Sequence, residues 1–172
     1  DGQKKSICKN PKHNRKDHEF LGWDSETPPK EYFDELFRIS KNQIIFGANY
    51  FTDKLKGTYK GWRIWDKGQR GLTMSDCELI FTSFDTPTRI ITFNRVEIAK
   101  DGSVHPTQKP LELIRTLIEM HSKEGDLICD PFMGSWTTAR ACKDLGRNFI
   151  GFEISEKYCK VGEERLRQEI LF

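Results

Sequence analysis

The stretch LICDPFMGSWTT, residues 127–138, limits the fold more than any other part of the chain: an apolar run stops at Asp-Pro and turns through one glycine into two threonines. A short apolar run bounded by turn residues reads as a buried strand, and the threonines open a helix that closes at Gly146. The flanking segments repeat this alternation. Upstream, Pro110 sits in the first turn of a helix with Leu113, Leu117 and Met120 on one stripe and Ile114 and Ile118 beside it, closed by Gly125. Downstream, residues 148–154 read as another buried strand before a charged helix from Glu156 onward. In the first half, Thr27-Pro28-Pro29 opens a helix whose Phe33, Leu36 and Phe37 recur at i, i+3 and i+4, and the run Ile44-Ile45-Phe46 follows and ends at Gly47. A short helix at 50–55 comes next, then strand-like segments at 62–65, 78–84 and 89–93, the last two separated by a turn at 85–88 that contains Pro87. Strands alternating with helices of these lengths predict an α/β fold with a doubly wound, mostly parallel sheet and right-handed crossovers.

A chain of 172 residues is one ordinary domain. Charged residues are 31% of it, and no apolar run approaches the ~20 residues of a membrane span. Its five cysteines are odd in number and nowhere in C-x-x-C spacing, which argues against a disulfide framework or a metal site and for a reducing, cytoplasmic setting. No secretory signal is visible. Charge is unevenly placed: residues 1–20 carry a local +3 while the remainder balances to −1. Lys4, Lys5, Lys9, Lys12, Arg15 and Lys16 supply that excess in a stretch without apolar periodicity, read as a mobile loop at 1–24. It is either a solvated arm or a phosphate-contacting segment, since cations gain affinity for nucleic acid by releasing counterions.

In a doubly wound sheet a ligand lies at the carboxyl ends of the strands, where a loop meets the next helix. Asp130 stands at that mouth, held extended by the following proline. Glu153 follows the next strand, where a carboxylate can accept both ribose hydroxyls of an adenosine cofactor. Each also has an ordinary reading, as a turn cap and as a solvated strand end. A dinucleotide loop needs G-x-G-x-x-G to approach a pyrophosphate; here the loop reads G-S-W-T-T, and Trp136 is expected to crowd a diphosphate. A cofactor without phosphates and with a sulfonium cation, S-adenosylmethionine, suits the acidic mouth better.

DPFMGSWTT, followed by GFEI and preceded by HPTQKP, resembles motifs I, II and X of the β class of DNA amino-methyltransferases, which modify adenine N6 or cytosine N4 in phages and restriction-modification systems. The likeness is sharpest over residues 104–166. It extends to EYFDELFRISKNQIIFGANYF, RIWDKG and SDCELIFTSF, and so covers most of the chain. It implies a single Rossmann-like methyltransferase domain with permuted motif order, a catalytic-side half at 25–95, a short linker at 96–104 and a cofactor-binding half at 105–172. It also implies that Asp130, Phe132, Gly134, Ser135 and Thr137 line the cofactor pocket, with Phe132 near the adenine face and Glu153 on the ribose. His105, Pro106, Thr107 and Lys109 would cover the methionine end. The basic loop would close over double-stranded DNA carrying a flipped target base, and because family members often pair, a homodimer is open as an assembly.

Two departures matter. Trp136 replaces the family's second glycine, so either its indole turns away from the ligand or cofactor binding is weakened. The family activates the amine with Asp/Asn/Ser-Pro-Pro-aromatic, whose side chain and first proline carbonyl accept the two N–H bonds while the ring stacks on the base. Thr27-Pro28-Pro29-Lys30 has the prolines without the usual acceptor or the ring, and no catalytic residue is assigned within the chain. The β-class order places that motif before Asp1, and the chain as it stands is expected not to transfer methyl groups. Adenine N6 is favoured over cytosine N4 as target. The alternatives are a cofactor- or DNA-binding remnant without chemistry and a nucleotide-dependent oxidoreductase with a worn loop.

Overall fold

The structure, a computed structural model, describes residues 27–57, 60–94 and 107–167. The basic residues Lys4 to Lys16, and His105 and Pro106, lie outside the described residues. The chain runs α1 (Lys30–Ile39), β1 (Ile44–Phe46), β2 (Arg63–Asp66), β3 (Cys77–Thr82), β4 (Arg89–Thr92), α2 (Leu111–His121), β5 (Leu127–Asp130), α3 (Thr137–Leu145), β6 (Asn148–Gly151) and α4 (Glu156–Arg167). In place of one short helix near residue 50 there are two 3-10 turns, Ala48–Tyr50 and Thr52–Lys54, divided at Phe51, whose φ of −148° breaks the helical path.

Four strands form one sheet in the order β1-β3-β2-β4, and β5 pairs with β6 in a second. β2 and β4 pair in parallel, as do β5 and β6, while β3 runs antiparallel to both β1 and β2. Only β3 is therefore reversed within the four-stranded sheet; no helix separates it from β2, so the chain returns alongside β2 instead of crossing over.

From β3 the chain crosses the start of β2 to reach its far side as β4. Gly61 makes this crossing possible: a side chain there would collide with the Phe84 carbonyl and the Thr82 hydroxyl. Arg63 fixes it. Its side chain is among the largest fully buried ones, and its guanidinium donates to the carbonyls of Gly61, Trp62 and Pro87 and to Thr86 Oγ1. Its other terminal nitrogen lies 3.2 Å from His121 Nε2, and the His121 ring stacks on Phe84 at 4.2 Å. Burial together with the neighbouring Arg63 cation depresses the His121 pKa below its ordinary value, so the ring is neutral and accepts from Arg63.

α2 joins the two sheets. Leu113 and Leu117 pack with Trp65 and Ile80 of the four-stranded sheet, while Ile114 and Ile118 pack with Ala141 and Cys142 of α3 above Ile128 and Phe149. The one-residue offset between the two rows turns them to different faces of the helix. Each fully buried aliphatic side chain contributes about 1.5–3 kcal/mol. Met120, expected on the first stripe, is instead 47% exposed. The opposite face of the larger sheet is covered by α1 and the 3-10 turns, through Phe33, Ala48, Leu55 and Phe81. β6 ends at Gly151, short of the expected strand at 148–154, and one face of β5–β6 is open: Leu127 is 60% exposed and Ile150 48%.

Candidate cofactor-binding site

The turn from β5 to α3 is built from its own backbone and two carboxylates. At the end of β5, Asp130 Oδ1 accepts the Phe132 N–H at 2.9 Å and Oδ2 accepts the Thr138 hydroxyl at 2.6 Å. Asp130 thus ties the start of the turn to the first turn of α3. Glu153 lies two residues past β6, its Oε2 accepting the Gly134 N–H and its Oε1 the Ser155 N–H, each at 2.7 Å. Backbone bonds from Phe152 N to Asp130 O and from Met133 N to Phe152 O carry the β5–β6 register onto the turn. The two carboxylates foreseen from the sequence therefore grip one segment of nine residues, Asp130 from one end and Glu153 from its middle. Each carboxylate oxygen accepts one of these bonds and keeps a further acceptor site.

The other sequence-derived positions fall around this turn. Phe132 is 65% exposed, and Tyr32 of α1 meets its ring at 5.2 Å. Burial first, and then the Asp130 charge, push the Tyr32 phenol up to about 12, so it stays protonated. Tyr32 brings α1 to the cofactor turn, a contact that no local pattern signals: in the sequence it is only the neighbour of the core residue Phe33. Gly134 has φ +50°, where a side chain is strained. Ser135 and Thr137 are buried and their hydroxyls share a hydrogen bond of 2.9 Å, which places them under the turn.

Thr107 is exposed and Gln108 buried at the entry to α2. The Lys109 ammonium lies 3.1 Å from Glu78 and over the rings of Phe46 and Trp65, at 5.3 and 5.9 Å. The other Glu78 oxygen faces Lys67 at 3.8 Å, and Lys67 also sits over Trp65. Two lysines thus share one carboxylate on an aromatic floor, which leaves net positive charge beside the end of β1. Glu78 and Lys67 escaped the sequence reading because β3 and the turn after β2 meet the HPTQKP segment only in the fold.

Trp136 has φ +59° and is the only non-glycine residue with positive φ among the described residues. Such a conformation costs a bulky residue on the order of 1–3 kcal/mol. The indole turns to α4, where it packs against Gly162. Of the two outcomes open from the sequence, the structure has the ring turned away, and the expected crowding of a diphosphate does not come from this ring. The Thr27-Pro28-Pro29 segment is likewise committed elsewhere. Lys54 Nζ donates to Thr27 Oγ1 at 2.9 Å and to the Pro28 carbonyl at 2.8 Å, and Pro29 caps α1.

Residues 3–164 match a family model described as DNA methylase. Among curated relatives, the Type II methyltransferase M2.LlaDCHI of Lactococcus lactis subsp. cremoris is 45% identical over 148 residues, 86% of this chain and 50% of its own length. The DNA adenine methyltransferase YhdJ of Escherichia coli (strain K12) is 43% identical over 81 residues, 46% of this chain and 28% of its own. The chain thus spans about half or less of the length of these relatives. Of solved structures, the M1.HpyAVI–SAM complex superposes with a TM-score of 0.65 at 25% identity, covering 82% of this chain and 86% of that one. The cytosine-N4-specific PvuII DNA methyltransferase has a TM-score of 0.57 at 16% identity, covering 83% and 73%, and so shares the fold.

Proposed function

Since the chain belongs to the DNA methylase family, we propose that it binds S-adenosylmethionine and serves methyl transfer to an exocyclic amine of DNA, with adenine N6 as the target. The observation that carries this reading is the turn after β5, held jointly by Asp130 and Glu153 from two parallel, hydrogen-bonded strands. Glu153 would hold the ribose hydroxyls through its remaining acceptor sites, and the exposed Phe132 ring would lie against the adenine. Thr107 and Lys109 would hold the amino-acid end, where the Lys67–Glu78–Lys109 group supplies the excess positive charge that a carboxylate needs. The donor, when bound, supplies an electrophilic methyl on its sulfonium sulfur. Adenine is favoured because one relative, 43% identical over 81 residues, is a DNA adenine methyltransferase.

The partner is double-stranded DNA with the target base turned out of the stack, contacted through Lys4, Lys5, Lys9, Lys12, Arg15 and Lys16. Amine activation requires an acceptor-Pro-Pro-aromatic group, and this chain's single Pro-Pro pair is flanked by Thr27 and Lys30, with no aromatic ring directly after it. The chain alone is therefore expected to bind the donor without methylating DNA. Calorimetry tests the first part: S-adenosylmethionine binds and NAD does not, and alanine at both Asp130 and Glu153 weakens the donor at least tenfold. Unchanged donor affinity in that double variant sinks the reading.

A further inference from the structure

We propose that α4 is a working part of the donor site, through a positioning pair formed by Trp136 and Gly162. This rests on the donor-binding reading above and concerns what sets the shape of the turn that reading depends on. Two bulky side chains of the turn are seated on glycines: Met133 on Gly151 of β6, and Trp136 on Gly162 of α4. A Cβ on either glycine would fall within the opposing side chain, closer than carbon atoms approach. A tryptophan has no intrinsic preference for φ +59°, ψ 28°, so the surroundings must hold it there. The indole Nε1 is buried without a hydrogen-bond partner, so shape rather than a polar bond seats the ring.

Arg165, one helical turn beyond Gly162 on the same face, donates to the Ser135 carbonyl next to Trp136. Arg140 of α3 donates in turn to the Arg165 carbonyl at 3.0 Å. α4 therefore holds positions 135 and 136, while Glu153 holds Gly134 immediately before them. A displaced indole would let position 136 leave the left-handed region. The Gly134 N–H would then turn away from Glu153, and Glu153 and Phe132 would lose their mutual placement. The donor site thereby depends on the absence of a side chain at position 162, a residue that touches no part of the proposed ligand.

The test is a thermodynamic cycle on the full chain, read as calorimetric affinity for S-adenosylmethionine well below each variant's melting temperature. Gly162→Ala is expected to weaken the donor at least tenfold. The same change in a Trp136→Gly background is expected to move affinity by less than threefold, because the collision partner is gone. A purely structural role would lower the melting temperature and leave the affinity of the folded protein unchanged. Parental affinity in Gly162→Ala, or an equal loss in both backgrounds, overturns the proposal. Should Gly162→Ala fail to fold alone, the Trp136→Gly pair decides, since any loss there cannot come from the indole. If the parent chain binds no donor, the donor reading falls and this inference with it; a binding parent with a flat cycle rejects this inference alone.

Discussion

The four-stranded sheet is covered on both faces at β1 and β3, by α1 and the 3-10 turns on one side and α2 on the other, and only its edge strand β4 is bare on one side, with Ile90 68% exposed; among the described residues β5–β6 is covered by α2 and α3 on one face. Strand composition does not account for this. Leu127-Ile128-Cys129 is as apolar as Ile44-Ile45-Phe46, yet Leu127 and Cys129 are exposed. The β5–β6 ladder is instead held by one face of packing and by its turn, where Asp130 and Glu153 replace core contacts with hydrogen bonds. One region derives its rigidity from burial and the other from polar closure of a short segment. The second arrangement leaves the carboxylates half-buried and Phe132 exposed beside them, within reach of a ligand.

That contrast can be broken at several points. The largest effect is expected in the doubly covered sheet: Ile80→Ala, at a fully buried position, should cost about 2–5 kcal/mol in urea unfolding. A cost below 1 kcal/mol would show that this core is not packed as described. Next comes Arg63→Leu, which takes the donor from the Pro87 carbonyl and from Thr86 Oγ1, while the carbonyls of Gly61 and Trp62 keep the Thr82 hydroxyl and the Arg89 N–H. Leaving a buried acceptor unmade costs roughly 1–3 kcal/mol, so unfolding should detect a loss in that range, and a neutral outcome would mean that the crossing holds itself. On the open face, Leu127→Gln should change stability by no more than about 0.5 kcal/mol. A larger loss that deepens with protein concentration would reveal a second copy covering that face.

The smallest effect is a pH dependence centred on His121. Its folded pKa is depressed, so the unfolded state binds the proton more readily, and stability rises with pH. The contribution is present above about pH 6.5 and is lost as pH falls through the folded pKa. Urea midpoints measured between pH 7.5 and pH 5 should fall less in His121→Gln than in the parent. Equal slopes would remove His121 as the cause.

The local parts of this molecule were readable from the sequence. The bounds Thr137–Leu145 of α3 follow from the threonine start and Gly146, and the i, i+4 rows of α2 are visible in its letters. Asp130 and the turn were legible because strand, turn and helix lie in one continuous stretch. What escaped is what the fold assembles from a distance. Tyr32 reaches Phe132 across 100 positions, and Glu78 reaches Lys109 across 31. The passage from β3 across the start of β2 to β4 depends on Gly61 and Arg63, a matter of close approach that no periodicity encodes. Exposure of Leu127 and Ile150 was equally hidden, since an apolar strand looks the same whether or not something lies on it.

The seating of Trp136 on Gly162 also bears on how such a chain can change over evolutionary time. A glycine at position 136 would free position 162 to acquire a side chain, while the tryptophan forbids it. The two sites should therefore drift as a couple, 26 positions apart. Any lineage leaving the tryptophan state has to shed the ring before its helix can gain bulk, never in the opposite order.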